Sequence, residues 1–476
     1  MRHTEIAISR PFEGAPRINI ADVFGASPNK SIIVRIPVTG ERPIKYGVKN
    51  LPEGLVLENG IITGKVEKSG NYTVILSAEN QLGYDEKKLV MEIKENNVLL
   101  TPLLGFSSWN AYGSDVSQEK IEETAKKMIE SGICEYGYSY INTDSGWQKE
   151  YGGKYDAIMP NEKFPDMRKM CDTIHAYGLK CGIYSTPMLT AWGCPKEFES
   201  IPGCTQGEAD ELFSLMNNGV GKIRKEKNNV AQWTEWGFDY LKYDWVPCDP
   251  YNAEQMRKEL VKSERDFAFC ITIGARNEYI NYWSKYCNSF RNNHDARGTW
   301  AKFIRNYKSY SEHITDMKKG HFYDFDMLDV GTCNLFPEGQ QFTEDEQILV
   351  YSFRAFIGSP IQISSTLDNL NEFELSLYCN EEIIAINQDT AFSPAKPYMM
   401  LEDEKKCIHI YKRKLSDGGF GIAVFNLGET PETIKIYLDD ISDIRDVWAK
   451  KDMGTTDIIT VRLLPHTVRI LKANKV

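Results

Sequence analysis

Between about residues 100 and 390 the chain repeats one pattern: a short apolar run, then a longer stretch whose apolar residues recur at helical spacing. A strand buried on both faces of a parallel sheet reads as such a run, and reaching its neighbour takes a crossover of about a dozen residues, usually a helix. Candidate strands fall near 103–106, 140–144, 180–184, 240–244, 268–273, 288–291, 321–326 and 357–363. Eight such units in about 290 residues predict a closed (β/α)8 TIM barrel, because right-handed crossovers leave few other ways to wind them. The helix signals agree. Ser117 is placed to cap a helix with Glu119 and Glu122 in its first turns and Ile121, Ala125 and Met128 on one face. A further helix is predicted over 166–177, with Gly178 as its stop.

The flanks lack that texture. In residues 1–98 apolar and polar positions alternate between turn residues, and Asn59-Gly60 separates two apolar runs. That dipeptide is a strong hairpin signal because both residues accept positive φ. Residues 72–76 and 88–93 supply more strands. Past residue 390 the helices stop, and 407–413, 421–426, 433–437 and 467–471 read as strands again. The predicted class is a multidomain α/β chain. An N-terminal β-sandwich spans 1–98, the barrel 99–390, and a C-terminal antiparallel β-sandwich 391–476. A chain of 476 residues is long enough for several cores.

Chemistry on such a barrel gathers at the C-terminal ends of its strands. The run Tyr240–Asp244 delivers Asp244 to that position, with Lys242 two residues earlier on the same face. Alone, an Asp there could serve as nucleophile, base, metal ligand or hydrogen-bond anchor. A second acid, Asp295, follows the candidate strand at 288–291, four residues after Arg291. Two carboxylates on separate strand ends meet the needs of glycosidic cleavage: one attacks or stabilises the anomeric carbon, the other protonates the leaving oxygen. The same residues also suit strand-end caps and ion-paired loops, and Asp324 and Asp326 suit plain loop solvation. His294 reads as a rim residue, and Trp147 and Trp192 as packing residues.

A net charge of −11 leaves no basic surplus to neutralise phosphates, so neither nucleic acid nor an anionic membrane is expected as a partner. No stretch is long enough to span a bilayer, and residues 1–6 show no apolar signal-peptide core. A cytoplasmic location is expected, or secretion if a leader has been removed. The 11 cysteines lack metal-type CxxC pairs, which fits reduced thiols. Neither a P-loop nor a dinucleotide fingerprint is present, and no cofactor or metal is expected.

The ordered motifs Gly105-Phe106-Ser107-Ser108-Trp109-Asn110, Asn142-Thr143-Asp144-Ser145-Gly146-Trp147, Tyr240–Asp244, Arg291 to Asp295, and Asp324-Phe325-Asp326-Met327-Leu328 resemble glycoside hydrolase family 27. That family holds α-galactosidases and α-N-acetylgalactosaminidases, and the resemblance covers about residues 100–476. It implies a retaining, exo-acting hydrolase that removes terminal α-linked galactose from an oligosaccharide or glycoconjugate. Under it Asp244 is the nucleophile and Asp295 the acid/base. Lys242 contacts ring hydroxyls, Arg291 lies near O2, Asp144 binds O4 and O6, and Asp326 supplies the acid of the sugar subsite. Trp109 and Tyr184 match the aromatic wall of the pocket.

Two departures bear on specificity. Ser145 stands where the family has a second acid, and Gly274 stands after the fifth strand where many α-galactosidases carry a bulky residue near O2. A glycine there leaves room for a 2-acetamido group, so α-N-acetylgalactosaminidase is one alternative and β-L-arabinopyranosidase another. A carbohydrate-binding protein with an inactive barrel is the alternative outside enzymes. Some relatives pair cysteines matching Cys194 and Cys248, although reduced thiols are expected here. Residues 50–64 resemble an immunoglobulin-like module, with Asn50 in place of its first glycine. A spacer or inter-subunit packing role is expected for it, compatible with a homo-oligomer.

Overall fold

The computed structural model describes residues 2–188, 221–246, 248–272, 274–275, 277–310, 317–333 and 342–476, without the side chains of 277, 309 and 369. Eight parallel strands form its centre: β1 (Leu104–Ser107), β2 (Tyr140–Thr143), β3 (Lys180–Ser185), β4 (Tyr240–Asp244), β5 (Ala268–Thr272), β6 (Ser289–Phe290), β7 (Phe322–Tyr323) and β8 (Ile361–Ile363). They lie side by side in chain order, and β8 returns to pair with β1. Beyond β7, the Leu328 amide donates to Gln362 O at 2.8 Å and the Ser364 amide to Leu328 O at 3.1 Å. These bonds close the barrel.

The alternation of a strand explains which side chains go where. Leu241 and Tyr243 point outward into the core beneath the helices, whereas Tyr240 joins Tyr140, Ala268 and Cys270 in a separate apolar layer. The barrel interior also holds polar groups, among them Asn142, whose Nδ2 donates to Gln362 Oε1 at 2.9 Å. Gly182 is bare because a Cβ there would stand 1.9 Å from Asn142 Oδ1 and 2.7 Å from the Tyr240 ring.

The helices are α1 (Ser108–Tyr112), α2 (Gln118–Glu130), α3 (Met167–Ala176), α4 (Glu226–Trp236), α5 (Pro250–Lys262), α6 (Ile280–Tyr286), α7 (Trp300–Tyr310), α8 (Glu344–Ile357), α9 (Glu372–Tyr378) and α10 (Glu381–Asn387). Ser117 caps α2 as expected, accepting from the Lys120 amide, and α2 buries Ile121, Ala125 and Met128. Asp166 caps α3 in the same way, and Gly178 beyond it has φ 74°. The apolar segment 357–363 divides into the end of α8, a turn at Gly358 and strand β8. A hairpin of Gln148–Gly152 and Ala157–Pro160 between β2 and α3 was not expected. Its first strand, Gln-Lys-Glu-Tyr-Gly, shows no apolar period.

At the N-terminus a four-stranded and a three-stranded sheet enclose one core that includes Val34, Ile36, Val74, Leu76 and Met91. The Asn59-Gly60 turn connects Leu55–Glu58 to Ile61–Gly64 with φ of 49° and 79°. The barrel grips this module through the buried Glu135, which follows α2. Its carboxylate accepts from Arg35 at 2.6 Å and the Val38 amide at 2.9 Å, and pairs with Arg42 at 2.9 Å.

The C-terminal residues make a six-stranded antiparallel sheet. Its long strands Glu432–Asp446 and Lys451–Leu463 break register between Tyr437 and Ser442. Ile408, Val424, Ile436, Ile459 and Leu471 then meet in one core. Two strands were not expected, Lys396–Glu402 and Lys451–Leu463, in which most residues are exposed. No described helix is long and apolar enough to cross a membrane.

Candidate active site

The strand ends on one face of the barrel carry Ser107, Asp144, Ser185, Asp244, Thr272, Arg291 and, past β7, Asp324 and Asp326. All are buried. Buried polar groups must find partners, and their pairing defines the site.

Asp244 ends β4. Its Oδ2 accepts from Tyr184 Oη at 2.9 Å, while its Oδ1 has no hydrogen-bond partner among the described residues. Burial pushes this carboxyl up to about 6, against the opposing pull of Lys242, Arg291 and the Tyr184 hydroxyl. Lys242 favours the ionised Asp244 through space, while its Nζ reaches across β3 and donates to Asp144 Oδ2 at 2.7 Å. Burial disfavours the Lys242 charge, but the carboxylates, Asp144 foremost, outweigh it and hold the pKa above the ordinary lysine value.

Asp144 also accepts from Ser107 Oγ at 3.3 Å and from the Ser145 amide at 2.8 Å. Ser145 itself is buried, and its hydroxyl lies 3.4–3.5 Å from the Gln148 amide group. Trp109 is half-buried on α1 above β1. Gly274 has φ 80°, and the nearest atom to a Cβ built there is Val246 Cγ1 at 3.9 Å. Its neighbours 273 and 276 lie outside the described residues, as do Trp192 and Cys194. Cys248 Sγ donates to Trp245 O at 3.1 Å.

Arg291 organises the other half of the site. Its Nε donates to Thr272 Oγ1 at 2.6 Å and its Nη2 to Asp295 Oδ1 at 2.9 Å, while Nη1 contacts Asp326 Oδ2. Burial would raise the Asp295 carboxyl, but Arg291 and then Arg297 outweigh it and hold it below the usual carboxylate range. Arg297 Nη2 stands 3.2 Å from Asp295 Oδ2. Asp326 accepts from the Ala296 amide at 2.6 Å and adopts φ 67°, a left-handed conformation that Asp tolerates better than most residues. Its amide donates to Asp324 Oδ1 at 2.8 Å, which ties the loop after β7 to its own strand.

The ten residues singled out from sequence therefore fall in one region, eight of them within these pairings. Trp147 packs instead: it is fully buried, and its Nε1 donates to Tyr184 O at 3.0 Å. His294 is exposed on the rim. Arg297 pairs with Asp295 as an ion-paired loop would have it, whereas Ser107 and Thr272 were not anticipated. Ser107 and Thr272 close apolar strands with a hydroxyl, a signal that the strand-end rule alone could have flagged.

The family described as "Alpha galactosidase A" matches residues 108–211 and 215–389, and "Alpha galactosidase C-terminal beta sandwich domain" matches 405–473. The "Probable alpha-galactosidase" of Dictyostelium discoideum is 27% identical over 382 residues, 76% of this chain and 88% of its own length. "Alpha-galactosidase A" of Cellvibrio japonicus is 27% identical over 407 residues, 78% of this chain and 91% of its own. A Bacteroides fragilis crystal structure, provisionally assigned as an alpha-galactosidase, superposes with a TM-score of 0.86 at 26% identity. That likeness covers 98% of this chain and 100% of the other, so it takes in the N-terminal sheets.

Proposed function

This chain belongs to the alpha-galactosidase A family, glycoside hydrolase family 27, and is a glycosidase; on that premise we propose that it removes terminal α-linked galactose by a double displacement that retains configuration. The observation that carries this reading is the Asp244 carboxylate, steadied at Oδ2 by Tyr184 and without a hydrogen-bond partner at Oδ1 among the described residues. An oxygen held in place yet unengaged is free to attack an anomeric carbon.

Asp295, on the loop after β6, supplies the proton to the leaving oxygen and then takes one from the water that releases the sugar. Arg291 sets the orientation of this acid through its 2.9 Å contact. Lys242 and Asp144, joined at 2.7 Å, present a donor and an acceptor to the hydroxyls of the ring. Asp326 holds its place through the Ala296 amide and the Arg291 guanidinium. Trp109 and Tyr184 form the aromatic wall. The scheme requires no metal or organic cofactor.

Gly274 favours a second reading, α-N-acetylgalactosaminidase, because nothing described closer than 3.9 Å occupies the space a side chain there would take. The two readings share one experiment. Nitrophenyl α-galactoside, its 2-acetamido analogue and the β-L-arabinopyranoside are hydrolysed in parallel, and the anomer first released is identified by proton NMR. Preference for the galactoside with the α anomer released first is expected. Asp244→Asn and Asp295→Asn should each lose activity by about a thousandfold or more. Release of the β anomer first, or activity that survives both substitutions, would overturn the mechanism.

A further inference from the structure

We propose that the C-terminal sheet carries a zinc-class metal site formed by Glu402, Cys407 and His409. In the edge pair Lys396–Glu402 and Cys407–Lys414, Glu402 lies directly opposite Cys407. His409 is two residues on, which returns its side chain to the same face. One ligand atom from each residue, an oxygen, a sulfur and a nitrogen, lies within 4.8 Å of the other two.

The separations suit a tetrahedral ion. With Zn–S of about 2.3 Å and Zn–N of about 2.0 Å, sulfur and nitrogen ligands stand about 3.5 Å apart. Cys407 Sγ and His409 Nε2 are 3.5 Å apart. Glu402 Oε1 is closer to the same nitrogen, at 2.6 Å, as befits a hydrogen bond that a metal replaces. The Glu402 side chain is 63% exposed, so its carboxylate can swing outward to admit an ion.

A fixed outer partner strengthens the assignment. His409 Nδ1 lies 2.6 Å from Tyr307 Oη on α7, and that hydroxyl lies 2.7 Å from Tyr411 Oη. Metal-bound histidines commonly hold their second nitrogen in this manner, which sets the ring orientation. Before binding, Nε2–H donates to Glu402 and Nδ1 accepts from Tyr307. On binding, the imidazole proton moves to Nδ1 and donates to Tyr307, which turns its own hydroxyl toward Tyr411. The Nε2 lone pair is then available to the metal, and the Cys407 thiol releases its proton to solvent as the metal–sulfur bond forms. Among the described cysteines Cys407 is the one not fully buried, so an ion can reach it. Three protein ligands leave the last tetrahedral position to water, and the bound ion would pin this edge hairpin against α7.

The test uses the full chain, free of any polyhistidine tag and stripped with a chelator, then titrated with Co2+ as an optical stand-in for Zn2+. A thiolate-to-cobalt charge-transfer band should saturate at one ion per chain and vanish when Zn2+ is added, and Zn2+ should raise the melting temperature. Cys407→Ser should abolish the band and Glu402→Gln should weaken binding at least about tenfold, with hydrolysis of an aryl glycoside unchanged as the check on folding. Absence of the band in the parent chain, its persistence in Cys407→Ser, or parental affinity in Glu402→Gln would overturn the proposal.

Discussion

Tyr184 Oη donates a 2.9 Å hydrogen bond to Asp244 Oδ2, and the two residues belong to neighbouring strands, β3 and β4. This hydroxyl favours the ionised carboxylate, so it partly offsets the upward push of burial. Tyr184→Phe should therefore raise the Asp244 pKa above about 6. A fall in kcat/KM of roughly ten- to a hundredfold is expected, the worth of a hydrogen bond to a charged group. The falling limb of the pH–rate profile should move to higher pH. A profile identical to that of the parent would refute the role given to Tyr184.

The pH profile itself follows from the two carboxyls. Asp244 is pushed up to about 6 and Asp295 is held below the usual range, so the pair carries a single proton only between those values. That proton rests mainly on Asp244, and double displacement draws on the minor arrangement in equilibrium with it, in which Asp295 holds the proton and Asp244 is ionised. The rate should peak in mildly acidic solution and fall about tenfold per unit above about pH 6. Arg297→Gln removes one of the two guanidiniums that hold Asp295 down, which should shift the acid limb upward. A flat profile from pH 5 to 8 would rule this out.

Acid stability should depend on Asp239, beside β4 at the end of the barrel opposite the site. Burial opposes its charge, but Arg265 and His175 outweigh that and depress its carboxyl from 3.8 to about 2. A depressed carboxyl contributes stability above the unfolded value, and that contribution is lost as the pH falls from about 4 through about 2. The contribution is about 2 kcal/mol. Melting temperatures measured from pH 5 down to pH 2 should show the decline, and Asp239→Asn should begin lower and decline less. An unaltered slope in that variant would exclude Asp239 as the cause.

Glu135 ties the N-terminal sheets to the barrel through Arg35, Arg42 and the Val38 amide. Removing one member of a buried ion pair strands the rest, a cost of about 3–5 kcal/mol when burial is complete and less here because Arg42 is one-third exposed. Glu135→Ala is expected to lose about 2–4 kcal/mol in denaturant unfolding and to expose the segment before residue 98 to protease first. A loss under about 0.5 kcal/mol would mean that the interface rests on its other contacts.

Much of this arrangement can be read along the chain. Tyr240–Asp244 is both the expected and the observed strand, and the caps at Ser117 and Asp166 lie where the residue types place them. The expected strands at 288–291 and 321–326 shorten to Ser289–Phe290 and Phe322–Tyr323. The polar residues that follow leave the ladder to enter the site, and an apolar count cannot see that departure. The edge strands Lys396–Glu402 and Lys451–Leu463 carry weaker signals: the first holds an apolar run that opens on Pro397 and lies largely in solvent, and the second begins with polar residues and a glycine.

By itself the sequence determined the eight-fold succession of barrel strands, the residue types at the strand ends and the pair of acids suited to glycoside cleavage, because periodicity, caps and turns act over a few neighbouring residues. Tertiary structure alone decided which charges meet. Lys242 pairs with Asp144, 98 positions away, because β2, β3 and β4 lie adjacent in register and the bare Gly182 lets their side chains crowd the interior. The same closure places Asp244 in a buried setting and Asp295 between two guanidiniums. Desolvation and Coulomb energy depend on distance through space, which no local pattern encodes.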